Sequence, residues 1–71
     1  MADLPVREGR ILLGQLLKLA GLVERGGDVR GLLADGVVRV NGEPEARRGR
    51  KLVVGDIVEV EGADPLRVVV E

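Results

Sequence analysis

The stretch VERGGDVRGLLADGVVRVNG, residues 23–42, changes from a helical pattern to a strand pattern near its middle. Its first half predicts a helix over roughly Asp28–Asp35, which Gly26-Gly27 open. The apolar stripe of this helix consists of Val29, Leu32 and Leu33. Gly36 is expected to end the helix, because glycine adopts the left-handed conformation of a helix C-terminus most easily.

The second half of the stretch predicts a β-hairpin. Val37–Val40 is rich in β-branched residues, and Asn41-Gly42 is a residue pair typical of a tight hairpin turn. Residues 43–46 (EPEA) are the return strand. Pro44 marks that strand as an edge, because proline has no N–H to donate to a further strand.

A first helix is predicted from Leu13 to the glycine stop at Gly21. Its two faces are Leu13, Leu16, Leu17 and Ala20 on the apolar side, and Gly14, Gln15 and Lys18 on the opposite side. The preceding residues 4–12 (LPVREGRIL) contain Pro5 and Gly9, so we expect an edge strand or an extended arm there.

Short strands fill the rest of the chain, at Leu52-Val53, Ile57–Glu61 and Leu66–Val70, with turns between them. This order predicts an α+β fold in which two short helices pack on a small, curved, mostly antiparallel sheet. A chain of 71 residues has room for one domain, residues 1–71, with its core over about 11–62 and a terminal strand over about 66–70.

The composition argues against catalysis. The chain contains no His, Cys, Ser, Thr or Tyr, so it lacks the usual nucleophiles and the usual general base. It also lacks the imidazole and thiolate ligands that many metals prefer, and we expect no cofactor. No apolar run is long enough to span a bilayer, and no signal peptide is recognisable, so the expected location is the cytoplasm. The class of protein that remains is a non-catalytic binding module.

Charge is unevenly distributed along the chain, although the net charge is only −1. Residues 1–53 carry ten basic and seven acidic side chains, whereas residues 54–71 carry one and five. Four of the cations lie in the cluster Arg47-Arg48-Gly49-Arg50-Lys51, where they repel one another unless an anion lies close. The cluster is compatible with a phosphate-binding surface and equally with a loop that only improves solubility.

The Gly26-Gly27 helix entry is a second candidate for phosphate binding. Amides at a helix N-terminus are unpaired and carry partial positive charge, and Arg30 lies one turn further along. The alternative is that the two glycines only turn the chain. Because the chain has no aromatic residue, stacking of single-stranded bases is disfavoured, and the backbone of a folded RNA is the better ligand. Duplex DNA is the alternative, although the sequence shows no long recognition helix.

The run from Leu13 to Gly62 resembles the RNA-binding domain named after the fourth protein of the small ribosomal subunit, called the S-four domain below. The core of that domain is the αL motif. The matching marks are Leu16–Leu19 in the first helix, Gly36 after the second, V-x-V-N-G at Val38–Gly42, and Gly55-Asp56 before a strand. The resemblance covers about residues 6–70 and is closest to the small stand-alone bacterial YbcJ/YaaA-like branch.

This resemblance implies a ribosome-associated protein that binds structured ribosomal or transfer RNA, and we expect it to be a monomer. Carried over by position, the RNA-binding residues are Lys18, Gly26, Gly27, Arg30, Arg39, Arg47, Arg48, Arg50 and Lys51. We expect the seven basic residues among them to share one face. The family often has a serine before the second helix, and here a glycine takes that place, so a side-chain cap is lost. Relatives carry the domain attached to enzymes, for which this chain has no room.

Two alternatives remain open. V-x-V-N-G followed by L-x-x-G-D-x-V-E-V is also similar to β-grasp sulfur carriers, but those require a C-terminal Gly-Gly and this chain ends in Val70-Glu71. A protein–protein adaptor is the other possibility, in which the acidic residues 54–71 dock on a basic partner.

Overall fold

The computed structural model describes all residues from Met1 to Glu71. Strands and helices follow one another in the order β1 Ala2–Val6, β2 Arg10–Leu12, α1 Leu13–Leu19, α2 Gly26–Ala34, β3 Val38–Val40, β4 Glu43–Pro44, β5 Lys51–Val53, β6 Ile57–Val60 and β7 Leu66–Val70. A short 3₁₀ turn, Arg7–Gly9, joins β1 to β2. The predicted α+β class is confirmed. None of the helices is long and apolar enough to cross a lipid bilayer.

Five strands form the main sheet in the order β1-β7-β6-β3-β4. All neighbours in it are antiparallel except β1 and β7, which run parallel, so the sheet is mostly antiparallel as predicted. The expected extended arm therefore supplies an edge strand, where Pro5 is tolerated. The remaining strands, β2 and β5, pair with each other as a separate two-stranded antiparallel ribbon. The sequence did not predict this pairing, because no turn signal connects strands so far apart in the chain.

The core is entirely aliphatic. Its buried residues are Val6, Leu13, Leu16, Leu17, Val29, Leu33, Val38, Val40, Leu52, Val58, Val60 and Val68. Both predicted helical stripes contribute to it, although Leu32 is only half-buried. Each fully buried Leu or Val stabilises the fold by roughly 1.5–3 kcal/mol relative to an exposed one. The helices are short, so their stability comes from this packing rather than from helix propensity.

The start of α2 corrects the sequence-based boundary. The helix begins at Gly26 rather than near Asp28, and its N-cap residue is Arg25. Asp28 partly replaces the missing side-chain cap, because its carboxylate accepts the Arg25 N–H at 3.3 Å. The C-terminal end agrees with the prediction, since the last helical residue is Ala34 and Gly36 has a φ of +73°.

A two-residue turn joins β3 to β4, as Asn41-Gly42 predicted, with Val40 paired to Glu43 and positive φ values of 53° and 85° at the turn residues. The return strand is shorter than expected, since β4 ends at Pro44. The Asn41 side chain also donates to the Asp56 carboxylate at 3.1 Å and accepts the Ile57 N–H at 2.9 Å. The two sequence marks V-N-G and G-D are therefore parts of one hydrogen-bonded structure.

Candidate nucleic-acid interface

The basic loop, residues 46–51, is attached to the N-terminus of α1. The Leu13 N–H donates to the Arg50 carbonyl at 2.8 Å, and the Gly14 N–H donates to the Arg48 carbonyl at 2.9 Å. These are the first two amides of the helix, which have no partner inside it. The loop is thus held by its backbone, which leaves its side chains available for other contacts.

Gly14 allows this close approach. The sequence placed Gly14 on the polar face of α1, but the structure buries it. A Cβ built on Gly14 would lie 3.4 Å from each of three atoms: the Cβ and the carbonyl oxygen of Arg48, and a methyl group of Val29. Gly14 is buried because the basic loop, which is distant in the sequence, covers this side of α1.

The anion that the cluster requires is supplied by the chain itself. The Glu45 carboxylate lies 3.0 Å from the Arg47 guanidinium and 2.9 Å from that of Arg50. It also accepts the backbone N–H groups of Ala46 and Arg47. The hydrogen bonds from Arg47 and then Arg50 lower the pKa of Glu45 from 4.5 to about 2, and Glu45 in turn raises the pKa of Arg47. Two of the four cations are therefore already paired.

Arg48 lies between Lys18 and Arg30. It lines an open groove of about 540 Å³ together with Arg30 and Arg47, and a smaller one of about 180 Å³ together with Lys18 and Gln15. A third groove follows the basic loop along Arg47, Gly49, Arg50 and Lys51. No carboxylate lines any of the three grooves.

We call this surface the basic face; it consists of Lys18, Arg30, Arg47, Arg48, Arg50 and Lys51. None of Lys18, Arg30, Arg48 and Lys51 forms an ion pair. The structure therefore brings together six of the nine residues predicted from the sequence, and four of these cations are unpaired.

The N-terminus of α2 provides two further polar groups. The amides of Gly26 and Gly27 make no hydrogen bond within the chain, in contrast to the two amides at the start of α1. A Cβ on either glycine would meet no atom within 4 Å, so packing does not require glycine there. Asp28 lies in the same turn, but its carboxylate is engaged by the Arg25 N–H.

Arg39 does not belong to the basic face. Its neighbours Val38 and Val40 point into the core, so Arg39 points to the opposite side of the sheet. It lies opposite Glu59 in the register and lines a groove that also contains Glu61. The expectation that the seven basic residues share one face is wrong for Arg39, because strand alternation directs its side chain away from the helices.

Two polar residues that the sequence did not single out lie beside the basic face. Arg10 and Gln15 line a groove together with Lys51. Arg10 is distant from Lys51 in the sequence, and only the pairing of β2 with β5 makes them neighbours. No local pattern could have indicated it.

The fold is that of an S-four domain. The family model described as S4 domain matches residues 4–69, and the chain belongs to that family. A relative in Bacillus subtilis (strain 168), described as "Probable ribosome maturation protein RlbA", is 52% identical over 59 residues, which cover 83% of each chain.

Proposed function

We propose that this protein is a non-catalytic RNA-binding protein that recognises structured ribosomal RNA through the basic face and the N-terminus of α2. The observation that carries the proposal is the set of unpaired cations Lys18, Arg30 and Arg48 around grooves that no carboxylate lines. Such a surface attracts a phosphate backbone and gains free energy from the release of its counterions.

The ligand is a folded RNA rather than a single strand, because no aromatic side chain is present to stack a series of bases. Ribosomal RNA is proposed over transfer RNA because the B. subtilis relative is described as a probable ribosome maturation protein. We propose that the protein acts in the cytoplasm, as a monomer, on ribosomal RNA during maturation of the ribosome.

The first prediction compares Arg48→Ala with Arg39→Ala. Arg48 holds the loop through its backbone carbonyl, so the alanine variant keeps the anchor and removes only the central cation. We expect binding of a ribosomal RNA fragment to weaken about tenfold and the slope of log affinity against log salt to fall by about one. Arg39→Ala, on the opposite side of the sheet, should bind within about twofold of the wild type.

Fluorescence anisotropy at several salt concentrations measures both quantities. The proposed surface is refuted if Arg48→Ala retains wild-type affinity and slope, or if Arg39→Ala weakens binding as much as Arg48→Ala. Crosslinking in cells, followed by sequencing of the bound RNA, identifies the target. Recovery of ribosomal RNA above background is expected, whereas recovery at background would favour a protein–protein adaptor.

A further inference from the structure

The outer face of the β2–β5 ribbon is exposed and has an alternating character. Arg10 and Leu12 point outward from β2, and Lys51 and Val53 point outward from β5. The register sets Arg10 opposite Val53 and Leu12 opposite Lys51. Each exposed apolar side chain thus lies opposite a cation on the neighbouring strand. Leu12, which is 37% exposed, faces Lys51, and Val53, which is 54% exposed, faces Arg10.

An open groove of about 470 Å³ lies on this face. Four aliphatic residues, two cations and Gln15 line it, and no carboxylate does. Glu8 contacts Arg10 at 3.2 Å, but both side chains are more than two-thirds exposed, so this pair exchanges readily for another anion.

The groove is continuous with the basic face. Lys51 lines both this groove and the one along Arg47 and Arg50. Leu12 and Gln15 line both this groove and the one that contains Lys18 and Arg48. An RNA backbone that follows the basic face therefore passes directly beside the ribbon.

Gln15 can supply a polar contact at the edge of the groove. Its side-chain oxygen accepts the Leu12 N–H at 3.2 Å, which orients the amide, and its NH₂ group donates to no protein atom. Two free donors beside an apolar surface suit a base, whose flat faces are apolar and whose edge carries acceptors.

We propose that the ribbon groove receives a single unpaired nucleotide that protrudes from the bound RNA helix. The base lies on Leu12 and Val53, Gln15 donates to its edge, and Lys51 and Arg10 hold the adjoining phosphates. This inference rests on the proposed RNA-binding function and adds a specificity to it. The absence of aromatic side chains disfavours stacking of a strand, but an aliphatic surface can cover one base.

The experiment uses three RNA hairpins with the same stem: one fully paired, one with a single-nucleotide bulge, and one with an abasic bulge at the same position. We expect the wild-type protein to bind the bulged hairpin about fivefold more tightly than the other two, which is the effect of covering part of one base. The abasic hairpin keeps the phosphates and the kink, so it isolates the contribution of the base.

Leu12→Ser and Val53→Ser should lose this preference while still binding the paired hairpin. Leu12 is the N-cap residue of α1, where serine is favoured, so this variant should fold. Leu19→Ser is the matched control, because Leu19 is 57% exposed and lines none of the grooves, and its preference should remain at the wild-type level.

The outcomes separate this inference from the proposed function. No binding to any of the hairpins, together with recovery of cellular RNA only at background, contradicts RNA binding itself and the inference with it. Equal binding of the three hairpins by the wild type, or an unchanged preference in Leu12→Ser and Val53→Ser, overturns only the nucleotide site. If, in that case, a partner protein binds the wild type but not the Leu12→Ser variant, the ribbon is a protein-binding surface instead.

Discussion

Glu45 determines how the basic loop can use its charge. Its carboxylate contacts the guanidinium groups of Arg47 and Arg50 and accepts two backbone N–H groups at the start of the loop. These contacts order the loop and neutralise two of its cations, so Arg48 and Lys51 are the loop cations that remain unpaired for the proposed binding of phosphate.

The low pKa of Glu45 makes its contribution dependent on pH. The pKa is about 2 in the folded protein, against an ordinary value of 4.5, because Arg47 and Arg50 stabilise the ionised form. The stabilisation is therefore fully present above about pH 4.5 and is lost as the pH falls from 4.5 to about 2. We predict that the difference in melting temperature between the wild type and Glu45→Gln narrows over this range.

Thermal unfolding of both proteins from pH 7 to pH 2 measures the difference, and an NMR titration of the Glu45 carboxyl carbon measures the pKa directly. Comparison of the two proteins cancels the titration of the other carboxylates. A constant difference in melting temperature, or a measured pKa near the ordinary value, would contradict the prediction.

Asn41 has a structural role that its position in a turn does not by itself reveal. It adopts a φ of 53° and joins the β3–β4 turn to Asp56 and Ile57. We predict that Asn41→Ala lowers the free energy of unfolding by about 1–3 kcal/mol, because it removes two hydrogen bonds and places alanine in a left-handed conformation.

Asn41→Gly separates these two causes, because glycine tolerates the positive φ but cannot form the side-chain hydrogen bonds. Chemical denaturation measures both variants, and Asn41→Gly should lose less stability than Asn41→Ala. The loss in a double variant with Asp56→Ala should be smaller than the sum of the two single losses, since the residues contact each other. Strict additivity would show that the contact contributes nothing.

At the scale of the elements, the N-termini of the two helices differ in how their backbone amides are paired. In α1 the first two amides bind the carbonyls of the basic loop, whereas the corresponding amides of α2 remain unpaired. The first helix therefore positions the basic loop, and the second can present its own backbone to a ligand. The difference depends on Gly14, which leaves room for the loop against α1.

Two glycine substitutions inside the helices test this assignment. A Cβ at Gly31 would meet nothing within 4 Å, so we predict that Gly31→Ala raises the free energy of unfolding by up to about 1 kcal/mol through helix propensity. Gly14→Ala should gain less, because its Cβ meets three atoms at 3.4 Å.

Gly14→Leu cannot be accommodated without displacing the loop, so it should lower stability by about 1–3 kcal/mol and weaken RNA binding without removing a charge. Denaturant unfolding and RNA affinity measure the two effects. Equal gains in Gly14→Ala and Gly31→Ala, with full RNA binding in Gly14→Leu, would show that the loop does not depend on this contact.

At the scale of the whole molecule, the sheet lies between a basic side and a side that carries carboxylates. The net charge of −1 does not reveal this uneven distribution. Lys18, Arg30 and Arg48 lie on the helix and loop side, whereas Arg39 lies among Glu59 and Glu61 on the outer side of the sheet. A nearly neutral protein can therefore present one basic face to a polyanion.

The two ends of the described chain meet in the parallel pairing of β1 with β7, to which β1 contributes the buried Val6. We predict that deletion of residues 1–6 abolishes cooperative thermal unfolding or lowers the melting temperature by more than about 10 °C, since it exposes β7 and opens the core. Asp3→Ala is the control. It removes only the exposed 2.8 Å ion pair with Arg67 and should cost less than about 1 kcal/mol. A deletion variant that is as stable as Asp3→Ala would show that β1 is dispensable.

Helices, turns and the hairpin could be predicted from the sequence because their causes are local. The spacing of Leu13, Leu16 and Leu17 defines a buried stripe, and Gly36 permits the left-handed helix end. Asn41-Gly42 forms the turn independently of its surroundings. The motifs of the S-four domain are made largely of these local signals, so the family was recognisable as well.

The sequence by itself determined the aliphatic core, the order of the elements and the supply of cations. Only the tertiary structure decided which cations share a face and what lies against them. It placed Arg39 on the outer side of the sheet, Arg10 beside Lys51, and the basic loop on Gly14. These are contacts between residues far apart in the chain, and they depend on which surfaces meet when the core closes, for which no local pattern carries a signal.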